Sequence, residues 1–429
     1  MNIIIILFAV LLVCFLIGVP IAISLGAAAI VAIWFGTDLP INLIAQKAFT
    51  SLDSFSLLAI PFFILAGILM GRGGISKRLL AMATALVGWI RGGLSLVTIV
   101  ACMFFAAIAG SGPATVAAIG SFMIPAMIDN KYHKGFSAGV PAAAGSIGVI
   151  IPPSIPFVVY GAVGSVSVGA MFMAGILPGI LIGAALLITA YLISKKRGYK
   201  PQEGAEKLVF KDVLKASWDA KWALFVPVII LGGIYGGVFS PTEAAVTAVV
   251  YAIIVGVFIH KELDWKGMYD AFMETILINA TTMIIISFSV SFAFFMTLEQ
   301  IPNTIADGLM QLTSNPIFIL IIIIILLLIV GMFIDTISAL IILTPILLPV
   351  VTSVGIDPVH FGVILVVALA IGFVTPPLGV NLFVASSVGK VKFEQVATGV
   401  MPFVLIMIVC LLIIAFIPAI SMFLPGLFE

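Results

Sequence analysis

The sequence predicts an all-α polytopic membrane protein made of two inverted-topology repeats. Three observations carry that expectation: bulk apolarity, one isolated basic loop, and a set of proline and glycine positions that recurs at a fixed shift. The chain has 429 residues, 63% hydrophobic and only 9% charged, with a mean hydropathy of +1.36. A water-facing domain carries roughly a quarter charged residues, so lipid must be the main solvent here. Apolar stretches recur from 3–35 through 400–424, several of them near the about 20 residues a helical span needs.

The charge pattern orients the chain. Lys195, Lys196, Arg197, Lys200, Lys207, Lys211, Lys215 and Lys221 are 8 of the 19 basic residues, set against Glu203, Glu206, Asp212 and Asp219. The positive-inside rule places this 195–221 loop in the cytoplasm. Residues 1–35 hold no Lys or Arg, and none follows Lys392, so both termini are expected in the periplasm. Each half then crosses an odd number of times, and 1–194 and 222–429 run inverted. A shift of 224 residues superposes Pro125 on Pro349, Gly148 on Gly372, Pro152-Pro153 on Pro376-Pro377 and Pro178 on Pro402. Inverted repeats of broken helices are a recurring plan of secondary transporters.

Each half carries the same two irregular places: 109–115 (AGSGPAT) and 145–154 (GSIGVIIPPS), then 331–338 (GMFIDTIS) and 372–381 (GFVTPPLGVN). Proline removes a donor and glycine permits non-helical angles, so these places should break helices in mid-membrane. Freed carbonyls survive there only where protein or a polar cavity satisfies them. With Ser and Thr hydroxyls they form a hard-oxygen cage suited to Na+, and the resumed half-helices aim their N-termini at an anion. Asp335 follows the apolar run from Ile319 to Ile334, and an intramembrane carboxylate is a functional-site candidate by default. These features point to an ion-coupled carrier of a small organic anion.

Other classes lack their signatures. Net charge is +1, which gives nucleic acid nothing to bind. No P-loop pattern provides for ATP, no organic cofactor is indicated, and no nucleophile stands with a base. His133, His260 and His360 share no ligand spacing, and the widely spaced Cys14, Cys102 and Cys410 suggest apolar filler. Ser240 or Thr242 is expected to cap a helix with Glu243 in its first turn. Trp218 and Trp222 suit an interfacial anchor.

The chain resembles, over essentially its whole length, the large membrane subunit (DctM or SiaM type) of the tripartite ATP-independent periplasmic, or TRAP, transporters. The resemblance rests on 59–67 (AIPFFILAG), 110–115 (GSGPAT), 151–154 (IPPS), 240–245 (SPTEAA) and 375–381 (TPPLGVN). It implies a scaffold and an elevator-type transport domain, with re-entrant hairpins around 100–128 and 316–354 and broken helices around 136–173 and 359–388. It also implies Na+-driven uptake across the bacterial inner membrane. Two partners follow from it: a periplasmic substrate-binding protein and a small four-helix membrane subunit, expected as a separate chain because this one begins at the large-subunit pattern. Carried over by motif, Ser111, Gly112, Gly145, Ser146, Gly148, Ile151 and Pro152 frame one Na+ site. Gly331, Thr336, Gly372, Thr375 and Pro377 frame a second. Ser111, Ser154, Asp335 and Asn381 are assigned to substrate contact. A carboxylate beside a dianion is repulsive, whereas it can accept hydroxyls of a polyhydroxylated monoanion, so a sialic acid-type sugar acid is favoured over a C4-dicarboxylate. The competing readings are a stand-alone Na+/carboxylate symporter of similar architecture and, from another class, a membrane enzyme or channel.

Overall fold

The computed structural model describes residues 3–37, 39–201, 208–304, 308 and 315–427. Every regular element among them is helical, the one open-ended architecture that satisfies all backbone groups in lipid. Eight helices among the described residues are long and apolar enough to cross a membrane. Large side chains such as Leu192, Leu326 and Leu405 stand exposed on them, the surface a chain presents when its solvent is apolar.

Helix boundaries in the two halves correspond under the 224-residue shift. Gly93–Ala109 and Gly112–Asp129 answer Pro316–Phe333 and Thr336–Ser353. Likewise Lys134–Gly145 and Ile155–Gly164 answer Pro358–Gly372 and Val380–Gly389, with cis Pro152-Pro153 and cis Pro376-Pro377 in the two breaks. The first pair folds back on itself, since Thr98 Oγ1 reaches Met127 Sδ at 3.8 Å. The second pair is more open. Pro316–Phe333 packs on Pro358–Gly372, while Thr336–Ser353 packs on Ile155–Gly164 and on Trp265–Leu298. Each half thus contributes a hairpin and a broken helix, and these four elements interlock.

The described part of the basic loop is pinned to the base of the first hairpin. Tyr132 and Tyr199 stack with centroids 4.0 Å apart, His133 N donates to the Tyr199 hydroxyl at 3.0 Å, and Ser95 and Ser194 hydroxyls meet at 3.2 Å. Glu203, Glu206 and Lys207 lie outside the described residues. Beyond them Phe210–Asp219 is amphipathic: Phe210, Leu214 and Trp218 form one exposed stripe, and the helix bends 64° from Lys221–Tyr235. Lys221 Nζ sits 3.8 Å from the Trp218 ring centroid. Such a helix suits the headgroup boundary, in line with the anchor role expected of Trp218.

On the same face, Arg72 pairs with Asp270 at 3.6 Å and Glu274 at 2.9 Å, and Arg78 with Glu262 at 2.8 Å. Hydrogen bonding from Arg78 holds the Glu262 carboxyl below its usual range. These are exposed pairs, individually weak, yet together they register Ala59–Arg72 and Ile75–Val87 against 262–274. At Ser240 the expected cap is a full capping box, with Glu243 N donating to Ser240 Oγ at 3.3 Å and Ser240 N to Glu243 Oε2 at 2.8 Å.

Candidate functional site

The first hairpin turns at Gly110, whose φ of +61° is left-handed and which therefore favours a residue without Cβ. A Cβ there would also lie 2.9 Å from Pro153 O, so the tip rests against the first break. Ser111 is extended and the helix resumes with Pro113 in its first turn, where a missing N–H costs nothing. The Ser111 carbonyl accepts from Thr115 N at 3.1 Å and Thr115 Oγ1 at 2.8 Å. It also lies close to Gly148, and Gly112 lies close to the Gly145 carbonyl. Ser111, Gly112, Gly145 and Gly148 are thus brought together. Ile151 instead packs toward Gly179.

The second tip forms differently. Ile334 is extended and Asp335 caps the helix Thr336–Ser353, its carboxylate accepting from Ser338 N at 3.1 Å and Ser338 Oγ at 2.5 Å. Behind it Gly331 and Gly372 touch backbone to backbone, since a Cβ on Gly372 would fall 2.3 Å from the Gly331 carbonyl. Thr336 is buried and its hydroxyl has no partner among the described residues. Thr375 donates its hydroxyl to Ile371 O at 2.7 Å, and Pro377 is exposed.

Both tips and both breaks meet on one cavity of about 180 Å³. Gly110 and Ser111 line it from the first hairpin, Asp335 and Thr336 from the second, Val149 and Ile155 from the first break, and Phe373 and Val380 from the second. A larger cavity of about 500 Å³ shares Ser111, Ile155 and Ile337 with it and extends to Arg72, Lys77 and Glu262. The central space therefore leads toward the face that carries the basic loop. Helix Phe210–Asp219 packs on Ile75–Val87 at that face.

Of the four residues expected at the substrate, Ser111 and Asp335 line the central cavity. Ser154 does not: fully buried, it caps Ile155–Gly164 by accepting from Phe157 N at 3.3 Å, and it donates to Val149 O. Asn381 is also fully buried and bridges the two halves, with Nδ2 donating to Ala142 O at 3.1 Å and to Ser146 Oγ at 3.4 Å. Its Oδ1 has no partner among the described residues. A buried oxygen without a donor is costly, and it is an available ligand for a hard cation, as is Thr336 Oγ1. Among the described residues no group of His, Cys, Asp or Glu could hold a metal ion. Phe373 and Ile337, which wall the cavities, were not anticipated; apolar residues give no contrast in a chain this apolar.

These features define an all-helical membrane protein of secondary-transporter architecture. Two solved transporters share the fold: YdaH of Alcanivorax borkumensis (TM-score 0.61, 14% identity, 87% of this chain and 89% of that one) and MtrF of Neisseria gonorrhoeae (TM-score 0.64, 15%, 92% and 93%). The sequence pattern of the tripartite ATP-independent periplasmic transporter, DctM component, matches residues 8–420. The chain belongs to that family, as a multi-pass large permease of the bacterial inner membrane, and it is not an enzyme. It is 53% identical to the isethionate TRAP transporter permease of Oleidesulfovibrio alaskensis, over 96% of this chain and 64% of that protein. Two large permeases of Vibrio cholerae are also similar: one named for C4-dicarboxylates (40%, 96% of this chain, 95% of that one) and one for sialic acid (38%, 96% of each). The chain thus spans about two thirds of the first relative and nearly all of the others.

Proposed function

We propose that this chain couples inward movement of a short organic acid to a sodium gradient, fed by a periplasmic binding protein and working with a small membrane subunit. The observation that carries this reading is the convergence of both hairpin tips and both breaks on one cavity, with unpartnered buried oxygens beside it. Oxygen donors of no formal charge suit a hard monovalent cation. The Ser111, Gly112, Gly145 and Gly148 cluster, with Ser146 and the Asn381 oxygen nearby, is one Na+ site. Thr336 with the Gly331–Gly372 contact is the other. The basic loop faces the cytoplasm, the termini face the periplasm, and the central cavity opens inward. The two hairpins and broken helices travel as one body against the remaining helices.

The same geometry argues for a short substrate. Asp335 spends two of its carboxylate's roughly four acceptor sites on Ser338 N and Oγ, which leaves fewer for the hydroxyls of a sugar acid. The tip cavity is about 180 Å³, and the relative at 53% identity is named for isethionate, a two-carbon sulfonate. Competition of uptake in proteoliposomes holding all three components tests the assignment. Isethionate, succinate and sialic acid are compared at equal concentration. One of the short acids is expected to compete; competition by sialic acid alone would overturn the preference. Full uptake without a binding protein would favour the stand-alone symporter.

A further inference from the structure

A cavity of about 260 Å³ lies at the end of the molecule remote from the basic loop. Its position follows from the helices that reach it. Trp265–Leu298 starts beside the Arg78–Glu262 pair and contributes Phe294 and Thr297 from its far end. The first broken helix starts beside Tyr199 and contributes Ala162 and Val163 from its far end. Asn42–Thr50 supplies Lys47, and the turn after it supplies Ser54. The cavity therefore sits at a seam. One wall is Asn42–Thr50 with the end of Trp265–Leu298; the other is the first broken helix with Pro345 of the second hairpin.

Lys47 is the charged group lining this space. Its Nζ lies 4.7 Å from the Phe294 ring centroid, and it takes part in none of the ion pairs among the described residues. A partly buried ammonium held by an aromatic face rather than a carboxylate keeps its charge available and exchanges that partner readily. No described residue hydrogen-bonds the Ser54 hydroxyl, so it is a second donor without a commitment. Thr297 and Ser51 differ, as their hydroxyls donate to Ala293 O and Ala48 O, both at 2.9 Å. The site offers one cation and one neutral donor against apolar walls, the chemistry that holds the head of a small monoanion.

We propose that this cavity is a second anion site, a way-station that receives the carboxylate or sulfonate head of the organic acid on Lys47 and Ser54 before the acid reaches the hairpin tips. It rests on the proposed function, in which the acid enters from the face opposite the basic loop and the hairpins and broken helices move against the remaining helices. Its place on the seam means that separation of the two walls would pass the acid inward while Lys47 returns to Phe294.

The test uses the complex with its small subunit and binding protein in proteoliposomes. Lys47→Gln is expected to lower kcat/KM for the acid about tenfold, the scale on which a focused charge raises capture rates, with unchanged dependence on Na+. Lys47→Arg should retain most activity. Lys47→Cys should be restored by a thiol reagent that adds an ammonium and not by one that adds a sulfonate, with the wild type treated in parallel to account for Cys14, Cys102 and Cys410. Wild-type kcat/KM in Lys47→Gln would overturn the proposal. A deficit that vanishes at saturating binding protein would overturn it too, by making Lys47 a docking contact. Failure of the wild-type complex to take up any organic acid would instead strike the functional reading itself.

Discussion

Gly372→Ala is expected to abolish uptake and to lower the melting temperature in detergent, whereas Gly331→Ala should leave most of both. The contrast follows from which atoms each new methyl would meet. On Gly372 it would fall 2.3 Å from both the carbonyl carbon and oxygen of Gly331, and 2.6 Å from its Cα. Those are backbone atoms of the helix behind the second tip and cannot rotate away. On Gly331 the methyl would find Gly372 Cα and Leu369 Cα at 3.3 Å, a tight contact that a small shift relieves. Overpacking a side-chain core costs about 1–3 kcal/mol, and a backbone clash must lie at or above the top of that range. The shift would part the Pro316–Phe333 and Pro358–Gly372 helices and move Thr336 away from the cavity. Melting and uptake measured on both variants decide the matter: equal behaviour of the two would mean that the glycine contact is not as tight as described.

Asn381→Ala is expected to raise the Na+ concentration for half-maximal uptake by about ten- to a hundredfold. The two polar atoms of the Asn381 amide are unequally used. Nδ2 of Asn381 is spent on Ala142 O and Ser146 Oγ, while the buried Oδ1 has no partner among the described residues. A charge-assisted contact to a buried oxygen contributes roughly 1.5–3 kcal/mol, and each 1.4 kcal/mol is about tenfold in affinity. Asn381→Asp retains an oxygen there and should keep Na+ activation far closer to wild type than Asn381→Ala does. Titrating uptake against Na+ at fixed substrate separates this from a purely structural bridge. A bridge would lose melting temperature in both variants without moving the half-activation point.

The breaks were legible because proline and glycine act locally. The 224-residue register that joins Pro152-Pro153 to Pro376-Pro377 also places the helix starts at Gly112 and Thr336 and the ends at Asp129 and Ser353. Two side chains also cap helices, and that signal is local in the sequence. Asp335 precedes Thr-Ile-Ser338, a spacing at which an N-cap carboxylate meets the third residue of the helix. Ser154 precedes Ile-Pro, where proline marks a first turn. Depth in an apolar run drew attention to the charge of Asp335 and away from its capping geometry.

Other features could not be read in advance. Asn381 meets Ser146 across 235 residues of chain, and no spacing rule reaches that far. Phe373 and Ile337 wall the cavities, yet they are two apolar residues among 63%. Lys47 and Phe294 are 247 positions apart, and only the fold places the ammonium over that ring in a cavity it lines with Ser54.

On the proposed function, one cavity between two hairpin tips moves an organic acid with sodium. Counterflow-free uptake of a labelled short acid into proteoliposomes of the complete complex tests it most directly, with the Na+ gradient as the only variable. Sodium coupling gives accumulation above the outside concentration under an inward Na+ gradient, and equilibration only when Na+ is equal on both sides. Accumulation that persists with equal Na+, or under a proton gradient alone, would contradict it.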